Sequence, residues 1–341
     1  MTTISSLGEF GLIRHLTENI QINNPGTRKG IGDDAAVLEY NDKKVLITTD
    51  LLLEGIHFDL TYVPLKHLGY KAAIVNFSDI YAMNGQPKQL TVSLGISKRF
   101  SVEDLEDFYS GLELACSIYG VDIVGGDTSA SLTGLCISIA CIGEAENDRI
   151  VYRNQAKNTD LIYVSGDLGA AYMGLQLLER EKAVFSGEKD FKPDFAGKEY
   201  LLERQLKPEA RKDIIQILND NLVLPTSMID LSDGLSSDLL HICKQSNVGC
   251  VIYEERIPVD YQTAMMAEQF NLNVTTVALN GGEDYELLFT VPIRFHETME
   301  QLNGIKLIGH ICEISSGTNL VTRDGTEIPL IAQGWNQLKN E

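Results

Sequence analysis

The chain has 341 residues, of which 44% are hydrophobic, and its formal net charge is -20. Because a domain commonly has roughly 100–200 residues, this length predicts about two domains with cores of ordinary size. The negative charge argues against a surface for nucleic acid or for an anionic membrane. It is compatible with a protein that gathers cations, and also with an acidic enzyme whose charge serves only solubility.

The six cysteines include no C-x-x-C pair and lie mostly in apolar surroundings. They predict core thiols in a reducing compartment rather than disulfides or a zinc site. The first residues have neither a basic region nor a long apolar stretch, so we expect no signal peptide. No run of roughly 18 apolar residues occurs, so we expect no transmembrane helix and no membrane partner. The expected location is the cytoplasm.

Helical and strand periodicities succeed one another through the first half of the chain. The predicted elements are a helix over 8–22, a hairpin of strands 35–40 and 45–50, a helix from about 64 to 83, a strand over 89–96, a helix over 102–119, and strands over 121–126 and 135–145. Ser101 precedes the helix at 102, and Asp104 follows three residues later, which indicates an imperfect capping box.

The pattern restarts beyond about residue 148, and the interpretation is an N-terminal domain over 1–148 and a C-terminal domain over 149–341. The second half predicts a strand over 160–166, a helix to about 180, a polar surface insertion over 183–200, a helix near 209–219, a turn and helix within 228–240, strands over 249–254 and 285–291, helices over 260–270 and 294–302, and strands near 306–313 and 318–323 joined to a hairpin turn at 323–325. Neither half shows regular βαβ alternation, so the expected class is α+β, a mixed α/β fold.

Polar and acidic residues cluster where these elements end. The clusters are Gly32-Asp33-Asp34, Thr48-Thr49-Asp50, Asn76-Phe77-Ser78-Asp79, Gly125-Gly126-Asp127-Thr128, Asp230-Leu231-Ser232-Asp233-Gly234 and Gly281-Gly282-Glu283-Asp284. Taken singly, most of them fit a turn or a helix cap. Asp79 is different because it lies inside an apolar helix, where a carboxylate is either solvated or paired with a cation.

Taken together, the clusters have the composition of a magnesium site. Carboxylates and hydroxyls are the oxygen ligands that Mg²⁺ prefers, usually together with substrate phosphates. The sequence has no His-Cys set with zinc spacing, no G-x-x-x-x-G-K-[ST] loop and no protein-kinase H-R-D and D-F-G pair. Gly166-Asp167-Leu168-Gly169 is a weak glycine motif that fits a turn between strand and helix.

Seven segments carry a resemblance to a known family. They are "GEFGLI", "GIGDDAAVL", "TTDLLLEGIHF", "YKAAIVNFSDIYAMNGQP", "VGGDTS", "IDLSDGLSSDL" and "GGEDYELLFT". In this order and over nearly the whole chain, they resemble thiamine-monophosphate kinase, a family of the aminoimidazole-ribonucleotide synthetase superfamily.

The resemblance implies ATP-dependent phosphorylation of thiamine monophosphate to thiamine diphosphate, assisted by several Mg²⁺ ions. It implies a two-domain fold with the site in the cleft between the domains, and a homodimer whose N-terminal sheets pair into a barrel. Another ATP-dependent enzyme of the superfamily, such as a selenophosphate or aminoimidazole-ribonucleotide synthetase, is one alternative. A Mg²⁺-dependent phosphohydrolase is a second alternative, and a noncatalytic ion- or nucleotide-binding protein is a third. The first cysteine is Cys116, so a selenophosphate enzyme would lack its N-terminal nucleophile.

Site residues follow from the resemblance by their motif positions. The implied metal ligands are Asp34, Thr48, Thr49, Asp50, Asp79, Asp127, Asp230 and Asp233. The implied ATP-binding residues are Gly126, Asp127, Arg153 and Ser232, and those for thiamine phosphate are His57, Glu283 and Trp335. No covalent catalytic residue is implied, because the acceptor's own phosphate oxygen is the nucleophile.

Three of these assignments keep a second interpretation. His57 fits a hydrogen-bond donor to the acceptor phosphate, and it also fits an ordinary loop histidine. Arg153 fits a phosphate grip or a salt bridge at the domain linker. Trp335 fits an aromatic face for the cationic thiazolium ring or an anchor for the C-terminal tail.

Overall fold

A computed structural model describes residues 27–29, 33–40, 43–184 and 194–332. The predicted helix over 8–22, Gly32 and Trp335 lie outside the described residues, as does 185–193 of the predicted insertion. Among the described residues, no helix is long and apolar enough to cross a membrane.

Six strands of the first half form one open sheet. They are β1 (Thr27–Lys29), β2 (Ala36–Tyr40), β3 (Lys43–Leu53), β4 (Gln86–Ile96), β5 (Asp122–Ala130) and β6 (Leu135–Ala145). Their order is β1-β2-β3-β6-β4-β5, and only β4 and β5 pair in parallel. The predicted hairpin of β2 and β3 is confirmed. In the described part of the chain β1 and β5 are edges, so no closed barrel is formed.

Two long helices accompany this sheet, α1 (Leu65–Ala82) and α2 (Val102–Tyr119). α2 connects the parallel strands β4 and β5, as a parallel pair requires. Ser101 Oγ accepts from the Asp104 N–H at 3.2 Å, and the Asp104 carboxylate accepts from the Ser101 N–H at 2.8 Å. The predicted capping box is therefore complete.

Seven strands of the second half form a second sheet. They are β7 (Leu161–Ser165), β8 (Ser227–Asp230), β9 (Gly249–Tyr253), β10 (Leu287–Val291), β11 (Ile305–Cys312), β12 (Thr318–Val321) and β13 (Glu327–Pro329). Their order is β13-β12-β9-β11-β7-β10-β8, with only β9 and β12 parallel. The predicted turn at 323–325 joins β12 to β13.

Seven described helices belong to this half. They are α3 (Ala170–Val184), α4 (Glu199–Leu206), α5 (Lys212–Asp220), α6 (Leu235–Ser246), α7 (Tyr261–Gln269), α8 (Val274–Asn280) and α9 (His296–Met299). The periodicity missed α4, α8 and the short strand β8. The helix predicted over 294–302 is shorter, since a 3₁₀ turn at Ile293–Phe295 precedes α9.

The hydrophobic core extends across both sheets. One cluster of buried side chains includes Phe77 of α1, Leu90 of β4, Tyr163 of β7 and Phe289 of β10. The rings of Tyr163 and Phe289 stack with their centroids 6.0 Å apart. Consequently α1, which carries Asp79, is fixed between the two sheets, and the mixed α/β fold is that expected from the sequence.

Candidate active site

Three carboxylates from distant parts of the chain lie close together, two of them buried and that of Asp79 half-buried. Asp34 lies just before β2, Asp79 on α1 and Asp230 at the end of β8. One carboxylate oxygen from each lies within 4.8 Å of the other two. The acidic clusters at the ends of separate elements thus converge in space, where a hard cation finds several oxygen ligands.

Two hydroxyl groups orient these carboxylates. Thr48 Oγ1 of β3 donates to Asp79 Oδ2 at 2.5 Å, and Ser78 Oγ donates to Asp230 Oδ2 at 2.6 Å. Ser78 precedes Asp79 in α1, so consecutive residues of this helix supply one of the three carboxylates and the hydroxyl that donates to another. Ser78 stands in one of the polar clusters of the sequence, but no role was predicted for it.

Burial and mutual repulsion make these acids hard to ionise. Burial, followed by the charges of Asp50, Asp230 and Asp34, raises the pKa of Asp79 well above its usual value. Burial and the Asp34 charge raise the pKa of Asp230 to about 8. Burial raises the pKa of Asp50 to about 6. A group of like charges with these properties is stabilised by a cation or by bound protons.

A divalent cation fits this donor set. Asp50 Oδ2 is buried and has no hydrogen-bond partner among the described residues. Such an oxygen costs free energy unless it finds a cation or a donor. The set of nearby ligands consists of oxygen atoms, as Mg²⁺ prefers.

Arg153 is a cation that lies beside this group. Its Nε donates to Asp34 Oδ2 at 2.5 Å, and its Nη2 contacts Asp34 Oδ1, so the pair is bidentate. Asp33 lies close as well, 3.8 Å from Nε. In this conformation the structure has the salt bridge that the second interpretation of Arg153 describes, and its role with ATP stays a prediction.

Two predicted metal ligands lie apart from the three carboxylates. Thr49 points to the other face of β3 from Thr48, and its hydroxyl donates to the Ile139 carbonyl at 3.0 Å. Asp127 is exposed on the edge strand β5. Since β6 and β4 lie between β5 and β3, Asp127 is about 14 Å from β3 across the sheet at the usual strand spacing.

Gly126, also predicted to bind nucleotide, lies against β4. A Cβ atom at this position would stand 1.8 Å from the Val92 carbonyl oxygen. Only glycine permits this approach of β5 to β4. The packing of β5 on β4 therefore explains why residue 126 is glycine, and the contact of Gly126 with nucleotide stays a prediction.

A second group of predicted residues is held together by backbone hydrogen bonds. The Glu283 N–H donates to the Ser232 carbonyl at 2.9 Å, and the Tyr285 N–H donates to the Leu231 carbonyl at 2.9 Å. Ser232 is exposed, and the neighbouring Asp233 is half-buried. The segments 231–233 and 283–285 therefore form one wall beside Asp230.

The backbone of this wall is strained. Glu283 has φ +65° and Tyr285 has φ +51°, in the region that residues other than glycine seldom adopt. Such strain persists where the surrounding structure enforces it, often at functional sites. Here the two backbone hydrogen bonds enforce it.

His57 lies in the loop after β3, and a backbone hydrogen bond fixes which of its ring nitrogens accepts. The Leu53 N–H donates to His57 Nδ1 at 2.9 Å. Because Nδ1 accepts, the proton of the neutral ring is on Nε2, which then serves as a donor. This geometry agrees with the predicted hydrogen bond to a phosphate oxygen, which stays a prediction.

Two polar residues beside Glu283 were not predicted from the sequence. Lys71 Nζ lies 3.0 Å from Glu283 Oε2, and Gln205 Nε2 donates to the same oxygen at 2.8 Å. A lysine inside the apolar sequence of α1 was a visible signal. Its partner was not, because α4 and the segment at 283 follow much later in the chain.

Comparisons with known proteins agree with this architecture. Residues 32–145 match the family "AIR synthase related protein, N-terminal domain". Thiamine-monophosphate kinase of Aquifex aeolicus is 38% identical over 289 residues, covering 85% of this chain and 87% of the relative. The Bacillus subtilis enzyme of the same name is 30% identical and covers 98% of this chain and all of the relative.

A solved structure extends the likeness to three dimensions. The structure "AaThiL complexed with AMPPCP and TMP" has a TM-score of 0.81 and 35% sequence identity, and the match covers 98% of each chain. The shared sequence, fold and length assign the chain to one family. This chain belongs to the thiamine-monophosphate kinase family.

Proposed function

We propose that the chain transfers the γ-phosphoryl group of ATP to thiamine monophosphate and so forms thiamine diphosphate and ADP. The observation that carries this proposal is the convergence of Asp34, Asp79 and Asp230 in a chain of this family. A relative with 35% identity has been solved with AMPPCP and TMP. We apply the same two ligand classes to this chain, with ATP as the co-substrate.

The transfer joins two anions and therefore needs positive charge. Asp34, Asp50, Asp79 and Asp230 would hold Mg²⁺. The roles of Thr48, Thr49, Asp127 and Asp233 as metal ligands stay predictions, and Thr49 and Asp127 would need a further ion away from the three carboxylates. When bound, Mg²⁺ neutralises phosphate charge and orients the phosphoryl donor. Thr48 and Ser78 fix the acids through their hydroxyls. Arg153, Gly126 and Ser232 would contact the nucleotide.

The chain's own residues position the acceptor rather than attack it. A phosphate oxygen of thiamine monophosphate forms the new bond to the γ-phosphorus, while the bond from that phosphorus to the bridging oxygen of ADP breaks. The acceptor oxygen is already anionic, so no covalent intermediate and no strong base are needed. His57 Nε2–H would donate to the acceptor phosphate, with Glu283 and Trp335 on the organic part.

A homodimer completes the proposal, with the outer face of the first sheet as its interface. Leu51 of β3 is 52% exposed and Val124 of β5 is 57% exposed, although both are apolar residues in strands. β5 is an edge strand with most of its residues exposed, a feature that proteins usually cover. Pairing two such sheets would give the expected barrel. We place the enzyme in the cytoplasm, and its described cysteines are free thiols.

The test is a reconstitution with purified protein, ATP, Mg²⁺ and thiamine monophosphate, with the products separated by chromatography. Thiamine diphosphate should form only when all components are present, and a chelator should stop its formation reversibly. Phosphate release without thiamine diphosphate would instead indicate the phosphohydrolase.

A further inference from the structure

α1 carries a buried lysine, Lys71, whose side chain contacts residues of the second half of the chain. Lys71 is 8% exposed, and its Nζ donates to the Gln205 carbonyl at 2.9 Å. The same Nζ lies 3.0 Å from Glu283 Oε2. Burying an ammonium group is unfavourable unless it is paired, so this pairing determines where the Lys71 side chain lies.

Both partners of Glu283 contact the same carboxylate oxygen. Lys71 Nζ and Gln205 Nε2 approach Oε2, at 3.0 and 2.8 Å. Within the described residues, no hydrogen bond to the other oxygen, Oε1, is formed. The Glu283 side chain is 30% exposed, although its partner Lys71 is buried. One edge of the carboxylate is therefore fixed, and the other has capacity to accept from a ligand.

The backbone of Glu283 is fixed as well. Its φ of +65° is held by the hydrogen bond from its N–H to Ser232. Gly282 packs against Ser232, since a Cβ at 282 would lie 2.5 Å from the Ser232 carbonyl oxygen. Glu283 is consequently preorganised, which lowers the entropic cost of binding a ligand.

Lys71 also connects this wall to the three carboxylates. It lies on the same helix as Asp79, eight residues earlier, which is roughly 12 Å along the axis. One rigid helix thus carries a carboxylate of the candidate metal site and the ammonium group that holds Glu283. The two ends of a phosphoryl-transfer site need a fixed separation of this kind.

We infer that Lys71 is a positioning residue for the acceptor substrate. It holds Glu283 so that Oε1 faces the cationic, N–H-bearing organic part of thiamine monophosphate. This inference rests on the proposed function and adds to it a residue that does not itself contact the substrate. Lys71 acts on the acceptor through Glu283 and has no part in nucleotide binding.

The experiment is a double-mutant cycle with Lys71→Met, Glu283→Gln and the double variant. KM is measured separately for thiamine monophosphate and for ATP, and Tm is recorded for each protein. Losing one partner of a charged hydrogen bond should raise KM for thiamine monophosphate by about 10- to 100-fold in Lys71→Met. KM for ATP should stay within about twofold, because the Lys71–Glu283 contact is assigned to the acceptor only. Lys66→Met, an exposed lysine on the same helix, is the matched control and should match wild type.

In the Glu283→Gln background, Lys71→Met should raise KM further by less than about twofold, since coupled residues are not additive. Lys71→Arg, which keeps the charge, should recover part of the affinity. Equal rises of both KM values, or additive effects, would overturn the inference. If Lys71→Met does not fold, Lys71→Gln takes its place, and failure of both to fold would show that Lys71 is structural. A wild type that makes no thiamine diphosphate contradicts the proposed function, whereas an active wild type with unaffected Lys71→Met contradicts this inference alone.

Discussion

Asp79 shows how much a single residue depends on its surroundings. It is flanked by Thr48 as a donor and by Asp34, Asp50 and Asp230 as like charges. In the absence of a cation, burial and these neighbours raise its pKa and favour the protonated form. Asp79 is thus suited to bind a divalent cation, and its ionisation destabilises the protein when the cation is absent.

Asp79→Asn should therefore inactivate the enzyme and stabilise its metal-free fold. We expect turnover to fall by about 1000-fold or more, because a ligand for the cation is lost.

A carboxyl group with a raised folded pKa contributes stability that is complete below its unfolded pKa and is lost as pH rises through the folded value. With Asp50 near 6 and Asp230 near 8, wild type in a chelator should lose stability from about pH 4 to pH 8.

The measurement is urea unfolding at pH 5 and pH 8, with a chelator and with Mg²⁺. In the chelator at pH 8, Asp79→Asn should be more stable than wild type, because it removes a carboxyl group whose ionisation is opposed by burial and by the neighbouring acids. Mg²⁺ should stabilise wild type more at pH 8 than at pH 5, since its ligands must be ionised. Asp148→Asn, at an exposed position, should change nothing. A less stable Asp79→Asn in the chelator would contradict the account.

Among the elements, the N-terminus of α3 is capped by a side chain from a segment that lies much later in the chain. The Asp284 carboxylate accepts from the Gly169 N–H at 2.7 Å and from the Ala171 N–H at 3.4 Å. The weak glycine motif at 166–169 is therefore the turn between β7 and α3 that the sequence predicted. Because Asp284 follows Glu283 directly, the segment 283–285 fixes both the start of α3 and the wall beside Asp230.

Asp284→Ala should lower both stability and activity. Losing the cap of α3 should cost about 1–2 kcal/mol in urea unfolding. The loosened segment should also raise KM for thiamine monophosphate several-fold. Asp104→Ala removes the capping box of α2, and it should cost a similar free energy while leaving KM unchanged. If the two variants had the same KM, Asp284 would be a cap only.

The elements that the sequence predicted well are those whose signals are local. α2 begins where Ser101 and Asp104 predict and ends before Gly120, which has φ +73°. α4 begins at the end of the predicted insertion over 183–200 and was not predicted. Its Arg204 and Gln205 donate to Glu286 and Glu283, which lie much later in the chain, so no local signal marks them. α8 and β8 have only 7 and 4 residues, too few for a clear period. The acids of the candidate site could be predicted from their local motifs. The distances between them, and the contact of Lys71 with Glu283, are long-range features that only the folded chain shows.

For the whole molecule, the outer face of the first sheet predicts the assembly. Leu51→Lys should convert the expected dimer into monomer, because it places a charge in an apolar interface. Light scattering coupled to size exclusion gives the mass of each variant. Ile293→Lys, at an apolar position 59% exposed in the second half, is the matched control and should remain dimeric. A monomeric wild type would contradict the dimer.

The core shared by the two sheets has a consequence for how this chain can change over time. Phe77 and Leu90 from the first half lie in the same buried cluster as Tyr163 and Phe289 from the second. Substitutions on one side of that cluster must be matched on the other, because interiors are close-packed. Chimeras that join this chain near residue 148 to a relative with 38% identity would bring together core halves that did not diverge together. Recombination at this point is thus restricted by packing, even where both parents have the same acidic residues.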